Sequence, residues 1–299
     1  MIFRTAHPTV SFAPERPLRS RRAFSLIEVL IATALMSIIV LGLLIMFGQT
    51  QRAFRTGVAQ VDVLEAGRSA LEMIARDVEQ AAAAGISTNC YNLFINENTS
   101  MPFITQDLVG GGERTNFIQN LVFLSREGQE WSGIGYGVLA TNYIGTLYRY
   151  QTNASALDGY IVEDLTRTAF NNKPSRVIDG VMHLRLQAYD HLGRLITSST
   201  YGVTNGFNPV IEVYDLPTPQ LRSLGYEYRF TSNALPAHLE IELGILEPKY
   251  AERVRNLPVL GGVPYANQPQ VKYLKSQVGH VQIFRQRVAI RNADPSVFQ

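Results

Sequence analysis

The sequence predicts an α+β fold, a long N-terminal helix packed on an antiparallel β-sheet. Three observations lead there. From Phe24 to Gly48 the only ionisable residue is Glu28, so the run is almost wholly apolar. No proline interrupts the chain between Pro17 and Pro102. Beyond Gly85, apolar and polar residues alternate in short runs separated by Gly, Asn, Pro and Ser, the pattern of strands with one buried face.

The apolar run is long enough to cross a bilayer, since a helix of its length reaches about 37 Å. Arginines crowd its N-terminal side (Arg4, Arg16, Arg19, Arg21, Arg22), which predicts that residues 1–23 stay in the cytoplasm and everything after about residue 49 lies outside the inner membrane. A secretory signal peptide would have a shorter apolar core and a small-x-small exit site, and Gly48-Gln49-Thr50 makes a poor one.

Apolar residues then continue at helical spacing as Phe54, Val58, Val61, Leu64, Leu71, Ile74, Val78 and Ala81, with charged residues between them. Residues 49–85 are therefore expected to carry the helix on as an amphipathic stem that stops at Gly85, unless it breaks near Gly48 or Gly57. Val61, Leu64, Leu71, Ile74 and Val78 are the expected packing stripe. Residues 86–299 form the outer, mainly β domain. Its clearest strand runs are Phe117–Ser125, Val138–Tyr150, Val177–Tyr189, Gly225–Phe230, Leu239–Leu246 and Val278–Ile290. In the fifth, Leu239, Ile241, Leu243 and Ile245 share one face and Glu240 and Glu242 the other. Segments 85–116, 151–175, 198–224 and 247–277 read as loops.

The net charge of +2 is set by the leader, whose five arginines oppose only Glu15; without it, 22 basic residues face 24 acidic ones, a balance of −2. The mature chain has no general electrostatic reason to bind nucleic acid. The single cysteine, Cys90, excludes an intramolecular disulfide and a thiolate metal cluster.

Basic residues, a small residue, and then Phe24-Ser25-Leu26-Ile27-Glu28-Val29-Leu30 stand in informative order. This order resembles the cleavage and methylation motif of type IV prepilins and type II secretion pseudopilins. The resemblance implies a pilin-like fold and a cut by prepilin peptidase between Ala23 and Phe24, with N-methylation of Phe24; the family usually has Gly where this chain has Ala23. It also makes Glu28 the acid at the fifth mature position. A carboxylate inside a membrane helix costs about 2.5–3.5 kcal/mol and calls for a partner. The amine created at Phe24 of a neighbouring subunit would supply one and set filament register; the competing reading is a solvated acid in the first helical turn. Three further runs, RSALEMIARDVEQA (Arg68–Ala81), VIDGVMHLRLQAYDHLGRL (Val177–Leu195) and LPAHLEIEL (Leu235–Leu243), resemble J-class minor pseudopilins and PilW-like minor pilins.

Catalytic constellations are absent from the sequence. His183, His191, His238 and His280 form no HExxH pair, and Ser132 is no nucleophile elbow. Gly110-Gly111-Gly112 and Gly133-Ile134-Gly135-Tyr136-Gly137 lack the lysine of a P-loop and the context of a dinucleotide site, and read as flexible loops. No calcium loop is present, and Asp158, Glu163 and Asp164 are close in sequence but unsupported. The expected function is structural: a minor subunit in priming, tip formation or assembly of a type IV pilus or type II secretion pseudopilus, with no enzymatic activity or cofactor. Its expected partners are prepilin peptidase, other pilin-like subunits, the inner-membrane assembly platform and the lipid bilayer. The alternative is a membrane-anchored enzyme or ligand-binding domain that uses the helix as a tether.

Overall fold

The computed structural model describes residues 24–85, 91–99, 101, 103–108, 110–128, 130–141, 143–154, 174–201, 210–216 and 225–298. The leader with Ala23, Cys90, and Asp158, Glu163 and Asp164 lie outside them. The chain divides into two compact units, Met1–Arg55 and Thr56–Gln299. Helix α1 is assigned over Leu26–Glu79, and Gly48 and Gly57 both fall inside it. In the first unit its seventeen large apolar side chains from Phe24 to Phe47 are all exposed. Burying a side chain of this kind is worth about 1.5–3 kcal/mol, so this surface demands an apolar surrounding worth on the order of tens of kcal/mol.

In the second unit, α1 buries Val63, Gly67, Ala70, Ile74 and Val78, three or four residues apart on one face, with Leu71 and Ala75 beside them. Val61 and Leu64, expected in this stripe, are 59% and 46% exposed instead. Small residues take part in the packing because the sheet comes close: a methyl group on Gly67 would overlap the ring of Phe284. The helix also stops short of Gly85. After Glu79 the Ala81–Ala84 backbone turns to other partners: Ala81 bridges Ser125, Ala82 N–H donates to the Leu124 carbonyl (2.9 Å), and Ala84 N–H to Asn92 Oδ1 (2.9 Å).

Opposite α1 lies an antiparallel sheet of nine strands among the described residues. In chain order they are β1 (Tyr91–Glu97), β4 (Gln119–Glu127), β5 (Glu130–Thr141), β6 (Ile144–Ala154), β7 (Ser175–Tyr189), β8 (Ile211–Asp215), β9 (Tyr226–Thr231), β10 (His238–Leu246) and β11 (Val281–Ala289). Strands β2 (Ile104–Asp107) and β3 (Glu113–Asn116) form a separate hairpin turned by Gly110, Gly111 and Gly112, all at positive φ. The spatial order is β11-β10-β7-β6-β5-β4-β1-β9-β8.

Several sequence expectations change here. The run Val138–Tyr150 is two strands, because Thr141 pairs with Ile144 across a tight turn in which Tyr143 has φ 69°. Gly133–Gly137 is the middle of β5, not a loop: its glycines leave one sheet face without side chains, and Tyr150 lies across Gly137. Segment 85–116 contains β1, β2 and β3, and segment 198–224 contains β8 and the one-turn helix α2 (Ser198–Tyr201). Segment 247–277 contains helices α3 (Pro248–Arg255) and α4 (Pro269–Ser276). Both begin on a proline, which tolerates the first helical turn.

The inner face of the sheet, with Leu93, Ile95, Leu121, Phe123, Tyr136, Leu184, Tyr228, Phe230, Leu239, Ile241 and Leu243, joins the α1 stripe in one core. On the other face, Glu240 and Glu242 meet arginines of the flanking strands: Arg185 and Arg285 on Glu242, Arg287 on Glu240. Burial pushes the Glu242 carboxyl up, but Arg185, His183 and Arg285 outweigh it and hold it below the usual carboxylate range. Where β7 parts from β6, buried Gln119 accepts from Leu186 N–H (2.7 Å) and donates to the Tyr226 carbonyl of β9 (2.8 Å), so one side chain satisfies backbone groups of two strands that do not pair with each other.

Glu97 is a weak point in this core. It is 8% exposed, its Oε2 has no hydrogen-bond partner, and burial together with the Glu227 charge pushes its carboxyl up. A carboxyl raised in the folded state stabilises below its unfolded value and loses that contribution as pH rises through the folded one. Glu97→Gln is therefore expected to raise Tm at pH 7, by about 2–4 °C per kcal/mol gained, with the gain shrinking as pH falls toward the ordinary carboxylate range. Thermal scans of both proteins from pH 4 to 8 check this.

Candidate assembly site on the N-terminal helix

The start of α1 brings Phe24, Ser25 and Glu28 into one turn. Ser25 stands just before the helix and Glu28 three residues on, the S-x-x-E spacing of a capping box. Ser25 Oγ accepts from Glu28 N–H (3.3 Å), while Glu28 Oε2 accepts from Ser25 N–H (3.2 Å) and Ser25 Oγ (3.3 Å). The bonds are long and exposed, so they position the carboxylate without consuming it. Phe24 itself is 82% exposed. The sequence signal for this box was present in Ser25-Leu26-Ile27-Glu28.

Toward the other end of α1 lies a cluster that the sequence reading missed. Asp77 Oδ2 accepts from the Tyr136 hydroxyl on β5 and from Arg149 Nε on β6 (2.6 Å), with Asp77 and Arg149 side chains only 15% and 23% exposed. An acid in the last turn opposes the helix dipole, so Asp77 depends on these partners. Burial, then the Asp77 hydrogen bond and charge, hold the Tyr136 phenol well above its usual range. Burial works to lower Arg149, but the Asp77 hydrogen bond and charge prevail and raise it. The clues were Arg76-Asp77 within the RSALEMIARDVEQA run and Tyr136 within the glycine-rich run; joining them required the strand pairing.

The stem residues divide. Leu71, Ile74 and Val78 are buried in the core, whereas Val61 and Leu64 face outward with Phe54 and Val58.

The histidines stand apart in separate settings. His183 accepts from Phe117 N–H at Nδ1, and burial pushes it down to about 4. His191 lies in a turn held by Asp190, which accepts from Leu192 N–H and Arg194 N–H. His238 is on β10, and His280 stacks on Tyr250 with Glu247 3.4 Å away. Among the described residues no group of three or more His, Cys, Asp or Glu side chains is arranged to hold a metal ion.

Residues 18–44 match the family described as the prokaryotic N-terminal methylation motif. No curated protein and no solved structure matches the chain. The matched segment spans Phe24, Ser25 and Glu28 and runs directly into the exposed apolar helix, and the α+β architecture behind it is consistent with a pilin-like fold. The motif is type IV prepilin-like and indicates a pilin-like or pseudopilin subunit.

Proposed function

We propose that the chain is a structural minor subunit of a type IV pilus or type II secretion pseudopilus, acting in priming, tip formation or assembly of the filament. The observation that carries this reading is the exposed apolar run whose one acid between Phe24 and Gly48, Glu28, stands in the first turn of the helix, inside the methylation motif. Prepilin peptidase cuts between Ala23 and Phe24 on the cytoplasmic face and methylates Phe24, leaving the β domain outside the inner membrane. In the filament, Glu28 meets the Phe24 amine of a neighbouring subunit, in surroundings of low dielectric that strengthen the attraction. The outer domain contributes lateral surfaces toward other pilin-like subunits.

The finer reading is a J-class or PilW-like minor subunit, supported by the Arg68–Ala81 and Leu235–Leu243 runs and by a large outer domain. A tethered enzyme would need neither an acid in the apolar helix nor Phe24 behind a basic leader. Shear fractions from cells with and without prepilin peptidase test the proposal. The mature chain is expected among the filament proteins only when the peptidase is present; its retention in the membrane in both strains would contradict a filament role.

A further inference from the structure

The two helices inserted between β10 and β11 differ from the rest of the outer domain in charge. From Pro248 to His280, five cations (Lys249, Arg253, Arg255, Lys272, Lys275) stand against one exposed acid, Glu252, a balance of +4. With residues 24–299 at −2, everything else sums to −6. The arginines of the sheet are largely neutralised: Arg149, Arg185, Arg285 and Arg287 all pair with carboxylates, and Arg255 of α3 pairs with Asp179. Lys249, Arg253, Lys272 and Lys275 are exposed and make no ion pair among the described residues. Instead Lys249 lies by the Tyr250 ring (5.8 Å) and Arg253 by that of Tyr273 (5.3 Å).

The loop joining α3 to α4 is apolar and outward-facing. Val259 and Leu260 are 57% and 42% exposed. They are held there by two buried glutamines. Gln268 accepts from Leu260 N–H (3.0 Å) and donates to the Leu260 (2.8 Å) and Val263 (3.0 Å) carbonyls, while Gln270 donates to the Leu257 carbonyl (2.8 Å). A pinned loop cannot fold its apolar tip away, so the exposure is specified by the fold. Each helix is eight residues, about 12 Å, with Arg253 and Lys272 toward the tip and Lys249 and Lys275 toward the far ends. Apolar tip, tyrosines and unpaired cations form the layering that suits a bilayer interface.

We infer that the α3–α4 hairpin is a docking surface for an anionic lipid bilayer, with Val259 and Leu260 at the acyl boundary and the four cations among the headgroups. A nucleic acid or an acidic protein would use the cations but give the apolar tip no role. The inference rests on the reading of α1 as a membrane anchor: in one bilayer, tethering raises the effective concentration of the lipid surface, so modest affinity suffices. A cavity beside α3, lined by its Ala251, Glu252 and Arg255, is lined on the α1 side by Asp62, Val63 and Ala66, residues that follow soon after the start of this unit at Thr56.

The test uses the full chain with Cys90→Ser, reconstituted in nanodiscs of phosphatidylcholine with or without phosphatidylglycerol. A fluorophore is placed on Val259→Cys or, as a control at another exposed apolar residue, on Leu192→Cys, and quenched by headgroup-proximal spin-labelled lipid. In anionic discs at low salt, quenching at 259 is expected to exceed that at 192 by about threefold or more, and to fall to the control level in about 1 M salt. The same loss is expected when Lys249, Arg253, Lys272 and Lys275 are all changed to Glu, with circular dichroism confirming the fold. Equal quenching at the two positions, or no dependence on phosphatidylglycerol, would overturn the inference. So would protection of the 259 label by a single-stranded oligonucleotide but not by anionic discs. Failure of the chain to enter the discs would overturn the anchoring itself, and the docking with it.

Discussion

Replacing Asp77 by Ala will lower the stability of the Thr56–Gln299 unit by about 2–4 kcal/mol. The size follows from what is left behind. Arg149, 23% exposed, loses its carboxylate, and the Tyr136 hydroxyl, within a side chain 1% exposed, loses its acceptor. The relief of an acid in the last turn of α1 returns only about 0.3–1 kcal/mol, too little to offset the loss. Tyr136→Phe removes one bond and leaves the ion pair, so its cost should be near 1 kcal/mol. Denaturant unfolding of the full chain in detergent, with the double variant Asp77→Ala/Tyr136→Phe closing a cycle, measures the coupling. If Asp77→Ala costs less than Tyr136→Phe, the cluster does not lock the helix to the sheet.

Replacing Glu28 by Val will leave the chain inserted in the membrane and cut its recovery in filaments at least about tenfold, the equivalent of losing 1.4 kcal/mol or more of pairing. Insertion is favoured, since a carboxylate in the span costs about 2.5–3.5 kcal/mol. The capping box supplies the discriminating variant. In Glu28→Gln the side-chain carbonyl still accepts from Ser25 N–H, but the charge is gone. If charge sets filament register, Gln fails as Val does. If Glu28 serves only its own helix end, Gln is recovered at the wild-type level and Val is not. Quantitative immunoblots of shear and membrane fractions separate the two.

The helix and the sheet were legible in the sequence where one residue type dominates a periodic pattern. Leu239, Ile241, Leu243 and Ile245 alternate with Glu240 and Glu242, and all four apolar residues are buried as that alternation predicts, while Glu242 is buried on the other face among its arginines. The stem stripe was half legible because reading by large apolar residues favours Val61 and Leu64, whereas the close approach of Phe284 selects Gly67, and the small Ala70 and Ala75 fill more of the buried face. Short strands such as β2 and β3 are built from ITQD and ERTN, whose polar residues meet one another and α4 through Gln106, Arg114 and Asn116. Such networks exist only after folding and leave no periodic trace. Of the candidate site, Phe24 and Glu28 were readable because a single charge in an apolar run stands out, while the Asp77 cluster joins residues 59 and 72 positions apart in the chain.

The central claim, that this chain is a prepilin matured for assembly, is tested most directly by the chemistry of its N-terminus. Intact-mass and peptide mass spectrometry should be run on the protein from cells with and without prepilin peptidase. With the enzyme, the account predicts loss of Met1–Ala23 and an N-methylated Phe24; without it, the leader should remain. A leader retained in both strains, or a cut near residue 50 that frees the outer domain from its apolar helix, would contradict it.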